Sequence, residues 1–203
     1  MTDQIAPTGP RLNEAAPAFD ALTTHGQKTL EDYRGKWLIL FSHPADFTPV
    51  CTTEFIAFAK KQDEFAALNT ELLGLSIDSH YSHIAWMRNI KEKFGVEVGF
   101  PSIADLNMAV AQAYGMIQPG ASDTAAVRAT FLIDPAGVLR AMVYYPMTAG
   151  RSVDEIHRLL VALQTADENK CAMPENWTPG DPVIVPTPAT PDAAMARIEE
   201  GYD

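Results

Sequence analysis

Cys51 is the residue of this chain whose sequence context best suits nucleophilic chemistry. It follows Thr48 and Pro49, a pair typical of a helix start, because threonine caps a first turn and proline fits the first helical position. Cys51 then falls in the first turn, where unpaired backbone N–H groups and the positive end of the helix dipole favour an anion. The sequence therefore predicts a cysteine with a stabilised thiolate.

The residues around Cys51 decide between chemistry and a structural role. A free cysteine is often a small apolar core residue, and Thr48-Pro49 alone would mark only a good helix start. Pro44, Thr48 and Cys51, however, share one segment between a predicted strand and helix, at the carboxyl end of the strand, where α/β proteins usually place their sites. We interpret this segment as a candidate active site.

The elements that position this segment are predicted from hydrophobic periodicity. Residues 37–41 form an apolar run of the length of a buried strand, and Phe55, Phe58 and Phe65 recur at helical spacing after Cys51. The later elements are, in order, a strand at 72–77, a helix through Ile84, Met87 and Ile90 capped by Ser82, a strand at 102–104, a helix from Met108 to Tyr114, a hairpin turning at 134–137, and a helix after a capping box at 152–155.

This order of elements predicts the fold class. Parallel strands need long crossovers, whereas the late hairpin adds antiparallel strands to the same sheet. We therefore expect an α/β, thioredoxin-like fold with a central mixed sheet flanked by helices.

The last part of the chain differs in composition. Prolines stand at positions 174, 179, 182, 186, 188 and 191, and proline interrupts long helices and central strands. We predict a thioredoxin-like main domain at 1–166 and a small C-terminal extension at 167–203. Because Trp177 and residues 183–185 are apolar, we expect the extension to dock on a surface such as a second subunit, with a disordered tail as the alternative.

Net charge limits the partners that we expect, and cysteine content limits the cellular location. With 203 residues and 47% hydrophobic content the chain can bury one ordinary core, and its net charge of -11 disfavours nucleic acid and membrane surfaces. We expect no secretion signal, since no basic start and apolar run are visible. Two cysteines cannot form a disulfide framework, so we expect a reducing, cytoplasmic location.

Residues 42–54, Ser-His-Pro-Ala-Asp-Phe-Thr-Pro-Val-Cys-Thr-Thr-Glu, resemble the active-site segment of the peroxiredoxins, and of their one-cysteine, peroxiredoxin 6-type subfamily in particular. Three further segments are similar to that family in the same order: 128–134, 148–152 and 174–181. The resemblance implies a thiol-dependent peroxidase that reduces hydrogen peroxide and organic hydroperoxides to water or alcohols through a cysteine sulfenic acid. It also implies a role in antioxidant defence and cell redox homeostasis.

The resemblance implies roles for four catalytic residues. Cys51 is expected to be the peroxidatic nucleophile, Thr48 and Arg128 to hold and polarise the peroxide, and Pro44 to shield the thiolate. A guanidinium can stabilise both the thiolate and the charge developing on the leaving oxygen, while a hydroxyl can align the O–O bond. The sulfenic acid then needs an external thiol reductant, because it otherwise oxidises further.

Three secondary residues have alternative interpretations. The resemblance implies that His43 and Glu54 help to organise the pocket; otherwise His43 is a solvated loop residue and Glu54 a favourable acid in the first turn. Arg151 has either a direct electrostatic role or a structural one at the junction with the next helix.

Cys171 is a candidate resolving cysteine. In two-cysteine peroxiredoxins the resolving cysteine directly precedes a proline, whereas here Met173 precedes Pro174. The one-cysteine assignment is therefore favoured, although Cys171 could reach Cys51 of the same or a partner chain after local unfolding. The resemblance also implies a homodimer, with higher oligomers left open.

Other functions fit the sequence less well. A thioredoxin-like disulfide oxidoreductase needs a second cysteine where Glu54 stands, and a cysteine hydrolase would have only His43 nearby as a base. A non-enzymatic binding or chaperone protein would not need Cys51. We expect no cofactor and no metal, since a dinucleotide fingerprint and a Walker loop are absent and His80 and His83 lack further ligands at metal-site spacing.

Overall fold

The computed structural model describes residues 9–122 and 124–200, without the side chains of residues 199 and 200. The chain forms two compact units, of which the first ends at Val153 and the second begins at Asp154. The strands are β1 (Asp20–Thr23), β2 (Gly26–Thr29), β3 (Trp37–Ser42), β4 (Thr70–Ser76), β5 (Ser102–Ala104), β6 (Arg128–Ile133) and β7 (Leu139–Tyr145). The helices are α1 (Pro49–Ala67), α2 (His80–Phe94), α3 (Ala109–Ala113), α4 (Val153–Asn169) and α5 (Pro191–Glu200), with a short 3-10 helix at Leu30–Tyr33.

All seven strands belong to one mixed sheet in the order β2-β1-β5-β4-β3-β6-β7. The central strands β3, β4 and β5 pair in parallel, while β1 and β6 join them antiparallel. This arrangement confirms the predicted thioredoxin-like fold with a mixed sheet.

The pairing of β3 with β6 places two distant parts of the chain at one edge of the sheet. Because these strands run antiparallel, with Phe41 opposite Thr130, the carboxyl end of β3 lies beside the start of β6. The Ser42 hydroxyl ties them together, since it donates to Val127 O at 2.6 Å and accepts from Ala129 N at 3.1 Å. The segment after β3 thus begins next to Arg128.

Helix α1 is fixed to the sheet by aromatic side chains. The Phe41 ring of β3 stacks on Phe58 with centroids 4.0 Å apart and meets Phe55 edge-on at 5.5 Å. Gly74 of β4 permits this approach, because a Cβ there would lie 3.1 Å from both Phe55 Cζ and Ser102 Oγ. These contacts set the position of the first turn of α1.

The structure departs from the predicted elements in two places within the first unit. The hairpin of β1 and β2 was not predicted, because its residues are mostly polar and only Thr23 is buried, so the alternation is weak. The predicted cap of α2 at Ser82 is wrong: Ser79 is the N-cap, and its hydroxyl accepts from Ser82 N at 3.2 Å. The prediction missed the first turn because residues 80–82 add no buried apolar residue to the helical pattern.

The second unit contains α4, α5 and the proline-rich segment between them. Ala172 and Ile184 form an antiparallel bridge, and the buried Trp177 donates from its indole nitrogen to Asp181 O at 3.0 Å. Helix α5 was not predicted. It forms because Pro191 occupies its first position, where a missing N–H is tolerated, and no proline follows.

Helices long and apolar enough to cross a membrane are absent from the part of the chain that the structure describes. The predicted domain boundary between residues 166 and 167 stays a prediction.

Candidate active site

The start of α1 carries Cys51 as the sequence predicts. Thr48 is the N-cap with an extended backbone (φ -95°, ψ 148°), Pro49 is the first helical residue, and the Cys51 side chain is fully buried in the first turn. The Thr48 hydroxyl donates to Ala45 O at 2.9 Å. Because its hydrogen is used there, the lone pairs of this hydroxyl remain able to accept a hydrogen bond.

Arg128 lies against the sulfur. Its Nη1 is 3.4 Å from Cys51 Sγ and donates to Glu54 Oε2 at 2.7 Å, while its Nε donates to Met147 O at 2.9 Å. Its side chain is only 3% exposed. The guanidinium is therefore held from three directions in a dry environment, with one nitrogen directed at the sulfur.

Glu54 joins the two arginines of the site. Oε1 accepts from the backbone N and the Nε of Arg151 at 2.8 and 2.9 Å, and Oε2 accepts from Nη2 of Arg151 at 2.8 Å as well as from Arg128. Burial alone would raise the pKa of Glu54, but the hydrogen bonds and charge of Arg151, with the charge of Arg128, outweigh it and lower the pKa. The alternative of a first-turn acid is wrong, because Glu54 is buried one turn further into α1.

Arg151 contacts both Glu54 and the main chain of β6. Beyond its bidentate contact with Glu54, its Nη1 donates to Ala129 O at 2.9 Å, and its guanidinium lies 5.4 Å from the centroid of the Phe41 ring. Whether its role is directly electrostatic or structural stays a prediction. Its charge acts on Glu54, which in turn contacts Arg128.

His43 is fully buried, so the alternative of a solvated loop residue is wrong. Its ring lies 4.7 Å from Phe55 and 5.1 Å from Trp86, and its Nε2 is 2.9 Å from Asp46 Oδ1. Burial lowers the pKa of His43, although the hydrogen bond to Asp46 opposes the shift. The neutral ring donates from Nε2 to the carboxylate, and its Nδ1 lacks a partner among the described residues.

Sequence reasoning missed the partners of His43. His83 Nδ1 lies 2.9 Å from both oxygens of Asp46, and His83 Nε2 lies 3.1 Å from Ile103 O. Burial would raise the pKa of Asp46, but the hydrogen bonds from His43 and His83 outweigh it and lower the pKa. A signal existed in the spacing of His83, Trp86 and Ile90, which places this histidine on the buried face of α2.

The His43, Asp46 and His83 side chains also form the group that could hold a metal ion, since one ligand atom of each lies within 4.8 Å of the others. His80, which was rejected as a metal ligand together with His83, is not part of this group. The contacts of 2.9 Å between the rings and the carboxylate are hydrogen-bond distances, so the Asp46 carboxylate pairs directly with both rings, while His43 Nδ1 has no partner among the described residues.

The remaining predicted residues lie around or outside this site. Pro44 is half-buried in the segment between β3 and α1. Cys171 lies in the second unit, is half-buried, and has its sulfur 3.8 Å from Thr165 O. Both cysteines are free thiols. Whether Cys171 resolves an oxidised Cys51 stays a prediction.

Together these contacts create a defined chemical environment. A buried sulfur lies at a helix start, where backbone N–H groups and a guanidinium both stabilise negative charge on it. Nearby, the Thr48 hydroxyl offers a free acceptor. Such an arrangement can position a small substrate and stabilise charge on a leaving oxygen.

Comparisons with known proteins agree with this geometry. The model of the AhpC/TSA family matches residues 12–142, and the model of the C-terminal domain of 1-Cys peroxiredoxin matches residues 162–201. The two matches together cover most of the chain, in the order in which the two units occur.

Individual relatives are similar over nearly their whole length. A peroxiredoxin of Aquifex aeolicus is 56% identical over an alignment of 205 positions, gaps included, that covers 96% of this chain and 92% of the relative. Among solved structures, a yeast mitochondrial 1-Cys peroxiredoxin, studied for thiol resolution via glutathione/thioredoxin systems, has a TM-score of 0.84 at 43% identity, covering 92% of this chain and 91% of that chain. The peroxiredoxin 6 of Arenicola marina has a TM-score of 0.85 at 34% identity, covering 93% and 89%.

Proposed function

The chain belongs to the AhpC/TSA family and is a thiol-dependent peroxidase, and on this basis we propose that Cys51 is the nucleophile that attacks the peroxide. The observation that carries the proposal is the 3.4 Å contact between Arg128 Nη1 and Cys51 Sγ at the start of α1. A thiolate is the reactive form of cysteine, and both features favour negative charge on the sulfur.

The reaction is a two-electron transfer at sulfur. The Cys51 thiolate attacks the terminal oxygen of a hydroperoxide, a sulfur–oxygen bond forms, and the O–O bond breaks. The leaving oxygen departs as hydroxide or alkoxide and takes up a proton to become water or an alcohol. Sulfur is oxidised to the sulfenic acid and the peroxide is reduced.

Thr48, Arg128 and Pro44 assist this step in our proposal. The Thr48 hydroxyl accepts from the O–H of the hydroperoxide, since its own hydrogen is given to Ala45 O. Arg128 stabilises charge on the sulfur and on the departing oxygen. Pro44, which has no backbone N–H to donate, shields one side of the pocket. His43, Glu54 and Arg151 hold these groups in place.

The cycle closes by thiol exchange. A thiol attacks the sulfenic sulfur of Cys51, releases water and forms a mixed disulfide, and a second thiol then restores the Cys51 thiol. Peroxiredoxins use peroxide substrates and thiol reductants, and the yeast relative is described with glutathione/thioredoxin systems. We propose an external thiol as the reductant here, with Cys171 as a possible internal one.

We further propose a homodimer in the cytoplasm. Residues 167–203, taken as an extension, expose apolar side chains at Val183, Ile184 and Val185, which suit a protein partner such as a second copy. Two free thiols suit a reducing compartment. Sedimentation of wild-type protein and of the Ile184→Asp variant tests both parts of this proposal: a monomeric wild type would contradict the dimer, and a variant that stays dimeric would contradict the role given to Ile184.

Trapping of the sulfenic acid tests the assignment of the nucleophile. Reduced wild-type, Cys51→Ser and Cys171→Ser proteins are treated with hydrogen peroxide in the presence of dimedone and digested for mass spectrometry. We expect the dimedone adduct on Cys51 in the wild type and in Cys171→Ser, and no adduct in Cys51→Ser. An adduct confined to Cys171 would overturn the proposal.

A further inference from the structure

Asp46 is held from two sides by the segment that connects β4 with α2 and by α2 itself. Its backbone N–H donates to Asp78 Oδ2 at 3.0 Å, and the same Asp78 oxygen accepts from the Ser76 hydroxyl at 2.7 Å. Its carboxylate receives His83 Nδ1 at 2.9 Å. Both the main chain and the side chain of Asp46 are thus tied to residues more than thirty positions away.

His83 is itself fixed by a second contact. Its Nε2 faces Ile103 O of β5 at 3.1 Å, so both ring nitrogens lie at hydrogen-bond distance from an oxygen atom. Because His83 is fully buried, its orientation cannot relax into water. Asp46 is thereby connected through His83 to the central sheet.

The residue after Asp46 has an unusual backbone. Phe47 adopts φ +57°, a left-handed conformation that bulky residues rarely take. Its side chain is 55% exposed, so packing of the ring does not explain the conformation. A strained backbone persists only where its surroundings fix it. The hydrogen bonds of Asp46 to Asp78 and His83 fix the chain on one side of Phe47, and Thr48 follows on the other.

We propose that His83 and Asp78 are positioning residues for the peroxidase reaction: through Asp46 they hold the segment before α1 so that the Thr48 hydroxyl faces the peroxide. The inference rests on the proposed roles of Cys51 and Thr48. It assigns to α2 a task in catalysis although no residue of this helix needs to touch the substrate. Arg128 and the helix start, which act on the sulfur, do not depend on the Asp46 contacts.

This division of tasks makes two reactions of Cys51 respond differently. Alkylation by iodoacetamide requires only a reactive thiolate, whereas reduction of hydrogen peroxide also requires alignment of the O–O bond. Loss of the Asp46 contacts is therefore expected to slow the peroxide reaction selectively. A purely structural role of His83 would lower the folded fraction, which slows the peroxide reaction and, because it exposes the buried Cys51, speeds alkylation.

The experiment compares His83→Leu with the control His80→Leu, a second histidine of α2 that lies outside the Asp46 contacts. For each reduced full-length protein, the rate of Cys51 oxidation by hydrogen peroxide and the rate of its alkylation by iodoacetamide are measured. We expect His83→Leu to lose about 10- to 100-fold in the peroxide rate, in line with the cost of a misplaced reacting group, and to alkylate at the wild-type rate. His80→Leu should match the wild type in both.

A second variant keeps the test valid if His83→Leu folds poorly. His83→Asn retains a donor near the position of Nδ1 and should recover part of the peroxide rate. A slower peroxide reaction accompanied by a changed alkylation rate in both His83 variants, or a peroxide rate unchanged from wild type, would overturn the proposal. Stoichiometric zinc bound by wild type and lost in His83→Leu would also overturn it, in favour of a metal centre. Failure of the proposed function would give a different result from failure of this inference. Wild-type Cys51 would then be alkylated by iodoacetamide but would not react with hydrogen peroxide.

Discussion

At the scale of single residues, the Arg128 guanidinium makes three contacts that a side chain with a single nitrogen could not make together. Its Nε is used on Met147 O, while Nη1 serves both Glu54 and Cys51 Sγ. A lysine would bring the same charge on a single nitrogen and could not keep this fork of contacts. The position of the charge beside the sulfur therefore depends on the shape of arginine.

Replacement Arg128→Lys is expected to lower the rate of Cys51 oxidation by hydrogen peroxide about 10²- to 10³-fold, as for the loss of a donor to a developing negative oxygen. Stopped-flow kinetics of the reduced protein measures this. Arg88→Lys is the matched control, because Arg88 pairs with Glu92 on the exposed face of α2. A rate for Arg128→Lys equal to that of the control would contradict the role given to Arg128.

Glu54 carries a prediction about pH. The lowered pKa of Glu54 in the folded state means that its contribution to stability is fully present above its usual pKa of 4.5 and is lost as pH falls through the lowered value. Glu54→Gln leaves Arg128 and Arg151 buried without their carboxylate, so we expect a loss of about 3–5 kcal/mol at neutral pH.

Urea unfolding of wild type and Glu54→Gln at about pH 7 and about pH 3 measures this dependence. The difference in unfolding free energy between the two proteins should be large at the higher pH and smaller at the lower one. A difference that does not change with pH would show that the Glu54 carboxylate is not the group responsible.

Residue types and local spacing sufficed to predict the helix start at Cys51 but not the contacts that support it. Thr48, Pro49 and Cys51 lie on contiguous sequence, so their helix start follows from local rules. The contact between Asp46 and His83 spans 37 positions and depends on how α2 packs, which periodicity alone does not reveal. His43 was open to misinterpretation for the same reason.

At the scale of elements, the distance at which α1 packs against the sheet determines where Cys51 lies. Phe55 follows Cys51 by one turn and packs over Gly74 of β4. The absence of a side chain at Gly74 is what lets the helix approach, since its backbone is not in the left-handed region. A small change in β4 is therefore transmitted to the site.

Gly74→Ala is expected to destabilise the protein by about 1–3 kcal/mol, because the added methyl group overpacks the contact with Phe55 and Ser102. Thermal unfolding measures the effect, and the peroxide rate should fall with it as α1 shifts. Gly120→Ala is the control, since a Cβ there would meet no atom of the described residues within 4 Å. A gain in stability for Gly74→Ala, as alanine usually gives in place of glycine, would contradict this packing.

Long, strongly patterned elements were predictable, and short polar ones were not. Strand β3 is buried in all six residues and reads as one apolar run, and the hairpin of β6 and β7 is marked by its turn. The β1 and β2 hairpin and helix α5 lack such signals. Their formation depends on pairing with β5 and on the spacing of prolines.

At the scale of the whole chain, the fold brings together residues from segments far apart in sequence. Cys51 and Arg128 are 77 positions apart, and Glu54 and Arg151 are 97 apart. The antiparallel pairing of β3 with β6 accounts for the first contact, because it aligns the end of one strand with the start of the other. The mixed sheet is thus what brings Arg128 beside the sulfur of Cys51.

Single-turnover consumption of peroxide tests this account most directly. Reduced wild-type protein is mixed with less than one equivalent of hydrogen peroxide, and the peroxide remaining and the free thiol at each cysteine are measured together. We predict that each peroxide consumed removes one Cys51 thiol and that the Cys51→Ser protein leaves the peroxide intact. Peroxide consumed at the same rate by Cys51→Ser, or consumed by wild type while the Cys51 thiol persists, would contradict the account.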